Sequence, residues 1–450
     1  MSVHSKLGFI ADPHSYTIVP GTPGDDTIST DQSFVDIEAA GGNDIVQATD
    51  GATDDILSGG SGNDSFYTDG QRITINGGDG NDQLVSDSGS SDNIMSGGAG
   101  DDQFFTDGLR TTIFGGDGAD DIGGGSFSRY SVFHGNAGND SLSTGASHST
   151  LYGDDGDDRL TSNASDDIVG NLNSTLIGGA GNDTLLSFQT MSTLSGGDGN
   201  DYVTGHSGSN KLAGGAGEDT LVSDLGNDSL YGDDGNDSLY GDGGDDVMSG
   251  GGGIDKLYGG AGNDSYFVDN IQDLVSEQSV SGTDDGGIDR VASVVDFTLG
   301  AFLENLYLSE HAAINATGND LDNRLVGNDA DNRLSGLAGN DILIGEAGAD
   351  DFVFAHFGSA NGNDHVRDFV SGLDHLVFKA SDFGWVAGHH LSDAELSVTG
   401  LATSSSGQFV YSPENHQLYW DINGTAAGGL RAIAKLDNAA TPHTGDFIFE

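Results

Sequence analysis

The sequence predicts an all-β protein: a parallel β-roll (β-solenoid) of glycine- and aspartate-rich nonapeptide repeats with a β-rich C-terminal cap. Three observations predict it. A nine-residue pattern, G-G-x-G-x-D-x-U-x with U apolar, recurs through the first 267 residues, and a fixed short period is the mark of stacked, solenoid architecture. Gly is 75 of 450 residues and Asp plus Glu 72, against 14 Lys plus Arg. Each repeat carries one apolar residue at position eight, as a short strand with one inward side chain requires.

The clearest copies are GGSGNDSFY at 59, GGDGNDQLV at 77, GGAGDDQFF at 97 and GGAGNDTLL at 178. Copies start at 21, 39, 59, 77, 97, 115, 135, 153, 178, 196, 214, 232 and 250, and in all thirteen position four is Gly and position six Asp. Most steps are 18 or 20 residues, which is two nonapeptides per turn. Same-side copies then stack ~4.8 Å apart, and the thirteen form a first column. Between them run second-column segments such as TDGQRITIN (68–76) and TGASHSTLY (144–152), which keep the apolar eighth residue but lack the sixth-position Asp until Asp228, Asp246 and Asp264. An asymmetric roll is expected, with one acid-lined corner and one acid-poor corner. The 25-residue step between 153 and 178 predicts a break in the stacking. Thr74, Thr112, Thr150, Thr175 and Thr193 form a ladder that strand alternation puts on the outer face. It reads either as cross-strand Thr pairing or as a flat surface for ice or a polysaccharide.

The loop composition points to a hard cation. Gly lets the backbone take positive φ and turn its carbonyls toward one point, and the sixth Asp brings a carboxylate there. Oxygen-only donors of this kind suit Ca²⁺. One apolar residue per half-turn is a thin core for so much Gly, so metal binding is expected to supply much of the folding free energy, and the metal-free chain is expected to be largely unfolded. The tandem array resembles the RTX (repeats-in-toxin, haemolysin-type) family of bacterial proteins exported by type I systems. That resemblance implies Ca²⁺ held between successive turns, by Asp26, Asp44, Asp64, Asp82, Asp102, Asp120, Asp140, Asp158, Asp183, Asp201, Asp219, Asp237 and Asp255 in the first column and by Asp228, Asp246 and Asp264 in the second. Ala39 at position one, and Ala119, Glu218 or Ile254 at position five, are departures that weaken their sites.

Five regions follow: a lead-in (1–20), the main roll (21–267), a β-rich connector (268–317), a second short array (318–353) and a cap (354–450). The connector text VVDFTLGAFLENLYL resembles the segment found between RTX arrays. The second array has Asn323, Asn332, Asp341 and Asp350 at its sixth positions, so Asp341 and Asp350 join the candidate ligands. The cap, ending GDFIFE, resembles the C-terminal region of serralysin-type proteins, which implies an uncleaved type I export signal; an ordinary capping domain is the plainer reading.

A net charge of −58 disfavours nucleic acid and anionic membrane surfaces as partners. No apolar run approaches a membrane span, Leu7–Ala11 is too short for a secretory core, and the absence of Cys excludes a disulfide frame. No H-E-x-x-H, G-x-S-x-G or G-x-x-x-x-G-K motif is present, and the His389–His390 pair has no third ligand at metal spacing. The expectation is a secreted, extracellular protein that folds on calcium, with a structural, surface or adhesion role and no enzymatic one. Its partners would be calcium, the type I machinery, and an extracellular polysaccharide or a cell surface. A polysaccharide-active protein and, less so, a lytic one are the alternatives.

Overall fold

Alternation along each nonapeptide produces a strand of four to six residues with its eighth residue inward, and from Ile56–Ser61 onward the strands that precede an aspartate loop in the first unit stop at its fourth-position Gly. The computed structural model describes residues 2–3, 16–49, 51–163, 173–277, 286–354, 362–426 and 428–450. It is all-β, a parallel β-solenoid with a β-rich C-terminal region. The chain forms two compact units, Met1–Gly243 and Gly244–Glu450, a division that falls inside the main array.

In the first unit two parallel sheets are built from alternate strands. One holds the strands that follow the aspartate loops: Phe66 pairs in register with Val46 and Leu84, and Leu84 with Phe104. The other holds the strands that precede them, with Ile75 paired to Leu57 and Met95. The inward rows Ile28, Val46, Phe66, Leu84 onward and Ile37, Leu57, Ile75, Met95 onward are buried. The core is therefore two apolar side chains per turn, at about 1.5–3 kcal/mol each, set against the ordering of about 18 residues at ~1–2 kcal/mol of backbone entropy apiece.

The two corners differ in a way the repeat spacing did not disclose. After the first two aspartate corners (21–26 and 39–44), three residues join the strands at each one in the first unit, as at 62–64, 80–82, 100–102 and 181–183. At the opposite corner the connection varies, with 69–73 and 107–111 short, and 87–93 and 125–131 two residues longer. All of the 18/20 alternation is absorbed there. So is the 25-residue step, and the expected break in stacking does not occur: Leu160 pairs in register with Leu185, and Leu151 with Leu176. The extra residues belong to the variable corner (163–174), of which 164–172 lie outside the described residues.

The second unit continues the parallel pattern through the connector and the short array. Ser265–Val268, Arg290–Ser293, Asn305–Leu308, Arg324–Val326, Ile342–Ile344 and Asp364–Val366 pair in one sheet. Asn315–Thr317, Arg333–Ser335, Asp351–Phe354 and His375–Phe378 pair in another. The cap then turns antiparallel through Gln408–Ser412, Gln417–Asp421 and Leu430–Leu436. Its last two strands return to the solenoid edges: Leu430–Leu436 pairs with Asp364–Val366, and the terminal Phe447–Phe449 with His375–Phe378. Phe378, Phe383, Trp385, Phe409, Trp420 and Phe449 form one cluster of rings. His389 stacks on Trp385 at 4.1 Å, an aromatic packing role.

Candidate metal centre

Each aspartate corner is closed by the same hydrogen bond. The sixth-position carboxylate of one turn accepts, through Oδ1, the backbone N–H of the sixth residue one turn earlier. Asp44 accepts from Asp26 at 2.7 Å, Asp64 from Asp44, Asp82 from Asp64 and Asp102 from Asp82. The series continues through Asp120, Asp140, Asp158, Asp183, Asp201, Asp219 and Asp237. These carboxylates are buried, at 3% exposure or less. A charge taken out of water costs free energy unless it is paired, and Oδ1 has only one neutral N–H.

The other oxygen decides the chemistry. From Asp44 to Asp219 in this series, Oδ2 is buried and has no hydrogen-bond partner among the described residues. From Asp64 onward it faces the first Gly of its own loop, while the Asp44 loop begins with Ala39: a Cβ on Gly77 would run into Asp82 Oδ2 and come within 2.6 Å of the Gly97 carbonyl oxygen one turn on. That crowding favours Gly at position one of these loops. Gly80, at φ 131°, occupies a left-handed region that L side chains rarely adopt, which holds the loop open at position four. Anionic oxygen, carbonyl oxygens and no nitrogen or sulfur donor form a set suited to a hard divalent cation. Burial pushes the Asp102, Asp158 and Asp201 carboxyls up to about 7, and Asp82, Asp120 and Asp183 to about 6, against the pull of the N–H bonds.

Asp26 stands apart. Thr22 N–H donates to its Oδ2 at 2.6 Å and holds its carboxyl below the usual range, so the first level has no bare oxygen. Asp228, Asp246, Asp255, Asp264, Asp341 and Asp350 are buried as well. Asp264 takes the Asp246 N–H, Asp341 that of Asn323, and Asp350 that of Asn332. Asp264 and Asp341 again have an unpartnered, buried Oδ2.

The acid-poor corner shows the same ladder with neutral caps. Asn93 Oδ1 accepts from Ile73 N–H, Ser131 Oγ from Thr111 N–H and Asn210 Oδ1 from Ser192 N–H. Where Asp would leave an oxygen bare, the Asn93 amide instead donates to Gly70 O and Ser86 Oγ. The amide N–H₂ does the job of a cation. Asn323 and Asn332 act likewise, donating to Leu303 O and Ile314 O, so those two levels of the second array close without metal.

Two features escaped the sequence reading. Asp55 occupies the sixth position of a degenerate copy at 50–58; it accepts from Val35 N–H, its Oδ2 is buried and unpartnered, and burial raises its carboxyl to about 6. Counting back nine residues from the copy at 59 would have found it. Position five, treated as a free x, makes a second ladder running the opposite way: Asn63 N–H donates to Asn43 Oδ1, Asn81 N–H to Asn63 Oδ1 and Asn200 N–H to Asn182 Oδ1. The prevalence of Asn and Asp at that position was the available signal. Ala119 receives no such role for the next turn, because its methyl cannot accept, although its own N–H reaches Asp101.

The repeat model described as RTX calcium-binding nonapeptide repeat matches this chain in overlapping and adjoining stretches that together span 20–108, 134–187, 192–270 and 317–352, more than half its length. The chain belongs to the RTX calcium-binding repeat family. No curated protein matches it. The RTX repeats coincide with the corners just described, and their sixth aspartates, with first-position glycine carbonyls of successive turns, are the groups that would hold Ca²⁺. Bound there, the ion supplies the positive charge that each bare Oδ2 lacks. No helix among the described residues is long and apolar enough to cross a membrane.

Proposed function

We propose that this RTX chain is secreted, folds on meeting extracellular calcium, and then serves a structural, surface or adhesion role without catalysis. The observation that carries the reading is the file of buried, unpartnered carboxylate oxygens from Asp44 to Asp219. Such a file is tolerable with calcium near the ~0.1–1 mM range of extracellular modules and costly in a compartment where calcium is scarce. There, the charge of −58 keeps the chain extended, the state an export channel can pass.

The RTX repeats favour export through a type I system. Phe447 and Phe449 are buried in the folded protein, and Glu450 pairs with Arg333 at 2.6 Å. A signal at this end is readable only before the cap closes. Fractionation of producing cells is the test: the full chain should reach the medium or the cell surface in the presence of its exporter. Retention of the chain inside such cells would contradict the reading.

A polysaccharide partner is favoured by one further observation. On the outward face of one sheet Phe114, His134 and Tyr152 stack along successive turns, with centroids 5.1 and 4.5 Å apart, and Asp154 lies 3.0 Å from His134 Nδ1. Rings beside a carboxylate suit a sugar's apolar face and hydroxyls. The Thr row on the same sheet is interrupted by Ile94 and Val132, and only Thr150, Thr175 and Thr193 are consecutive. Retention on polysaccharide columns, lost in Tyr152→Ala, would identify this face as the contact.

A further inference from the structure

The last nonapeptide of the main array, GGAGNDSYF at 259–267, breaks a rule that its predecessors keep. Its inward eighth residue is Tyr266, 2% exposed, where the others place an aliphatic or phenylalanine side chain. A buried phenol needs a partner. It finds Glu277, to whose Oε1 it donates, and Glu277 Oε2 accepts from Gly260 N–H at 3.2 Å. Glu277 lies outside every nonapeptide, just after the short strand Leu274–Ser276, and it is 1% exposed. Asp264 N–H donates to Asp289 Oδ1 at 2.8 Å, which extends the sixth-position ladder one level past the repeats.

Carboxylate oxygens of Asp264, Glu277 and Asp289 lie within 4.8 Å of one another, and all three residues are buried. Proximity of acids alone would not make a site. Asp264 Oδ2, however, is buried without a hydrogen-bond partner among the described residues. It converges with the Tyr266 hydroxyl on one point, since a Cβ added to Gly259 would strike both. Arg290, next in sequence to Asp289, is exposed and lies over the Tyr307 ring at 4.4 Å on the outer face.

We propose that Asp264, Glu277 and Asp289 form a calcium site of their own at the end of the main array, with Glu277 supplying a ligand from outside the repeats. It differs from the loop sites in donor set: three carboxylates converge instead of one per turn. Ligand charge is what tunes calcium affinity among oxygen sites, so this site fills before the loops do. Filling it fixes the connector strand against the last nonapeptide, and the array then has one ordered end from which the remaining turns can stack.

The test is calcium binding to the full chain at pH 7.5, counted by equilibrium dialysis with Ca²⁺ alone, for wild type and Glu277→Gln. Glu277→Gln keeps the Tyr266 hydrogen bond and removes one charge. It should bind one ion fewer, and the first ion should bind roughly tenfold or more weakly, while the later, loop-site ions and the β-rich spectrum at saturation stay as in wild type. An unchanged count with unchanged first-ion affinity overturns this site and leaves the loop sites standing. Should the variant fail to fold in calcium, a crystal structure of calcium-loaded wild type decides: an ion about 2.3–2.6 Å from an oxygen of each residue supports the site. Glu277 bonded to Tyr266 with no ion beside it overturns it.

Discussion

At the residue scale the sixth position is a choice between two ways of neutralising one oxygen. Asp140 takes the Asp120 N–H with Oδ1 and leaves Oδ2 for a cation; Asn93, at the equivalent place on the other corner, takes Ile73 N–H and turns an N–H₂ to Gly70 and Ser86. Asp140→Asn should therefore lower the bound-ion count by one and leave the calcium-saturated roll folded. Asp140→Ala removes the acceptor as well and strands the Asp120 N–H, a further loss of about 1–3 kcal/mol that thermal unfolding in calcium would record. Equal melting temperatures for the two variants would contradict the ladder's role. Gly77→Ala should be as damaging to its site as losing Asp82, because the added methyl occupies the space of Asp82 Oδ2. Ion counting on the two single variants compares them directly.

At the element scale, strand and corner lengths follow from which corner needs a fixed geometry. From 62–64 onward three residues at each aspartate corner of the first unit keep successive carboxylates in line, and the opposite corner takes up the 18/20 alternation and the 25-residue step. This bears on pH. Burial raises the Asp102, Asp158 and Asp201 carboxyls to about 7 in the folded, metal-free chain, from an unfolded value near 3.9. Their protonation favours the fold: that contribution is fully present below about pH 4 and is lost as pH rises through 6 to 7. Circular dichroism in EGTA should show β structure gained between pH 7 and pH 4, and calcium affinity should fall over the same interval as protons compete. A calcium-free spectrum flat across that range would contradict the assignment. The repeat text made the two sheets, the inward rows and the first-column aspartates legible, because each depends on a period of nine. The tolerance of the 25-residue step was not legible, since spacing alone does not say which corner absorbs an insertion. Asp55 was hidden by a copy lacking the fourth glycine, and the position-five ladder by its mixture of Asn, Asp and other residues. Glu277 lies outside the period altogether.

At the scale of the whole molecule the balance is between a thin core and a large charge. The cap's returning strands cover solenoid edges at Asp364–Val366 and His375–Phe378, edges that would otherwise remain open. Removing residues 380–450 should raise the calcium concentration needed for folding; an unchanged midpoint would show that the array nucleates without its cap. We propose that calcium, by neutralising the carboxylates that line the aspartate corner, makes this sequence fold. A calcium titration of the full chain at pH 7.5, followed by far-ultraviolet circular dichroism with parallel ion counting, tests it most directly. The spectrum should be disordered in excess EGTA and show a cooperative rise of β structure that tracks the binding of many ions. A compact, β-rich spectrum in EGTA, unchanged on adding calcium, would contradict it.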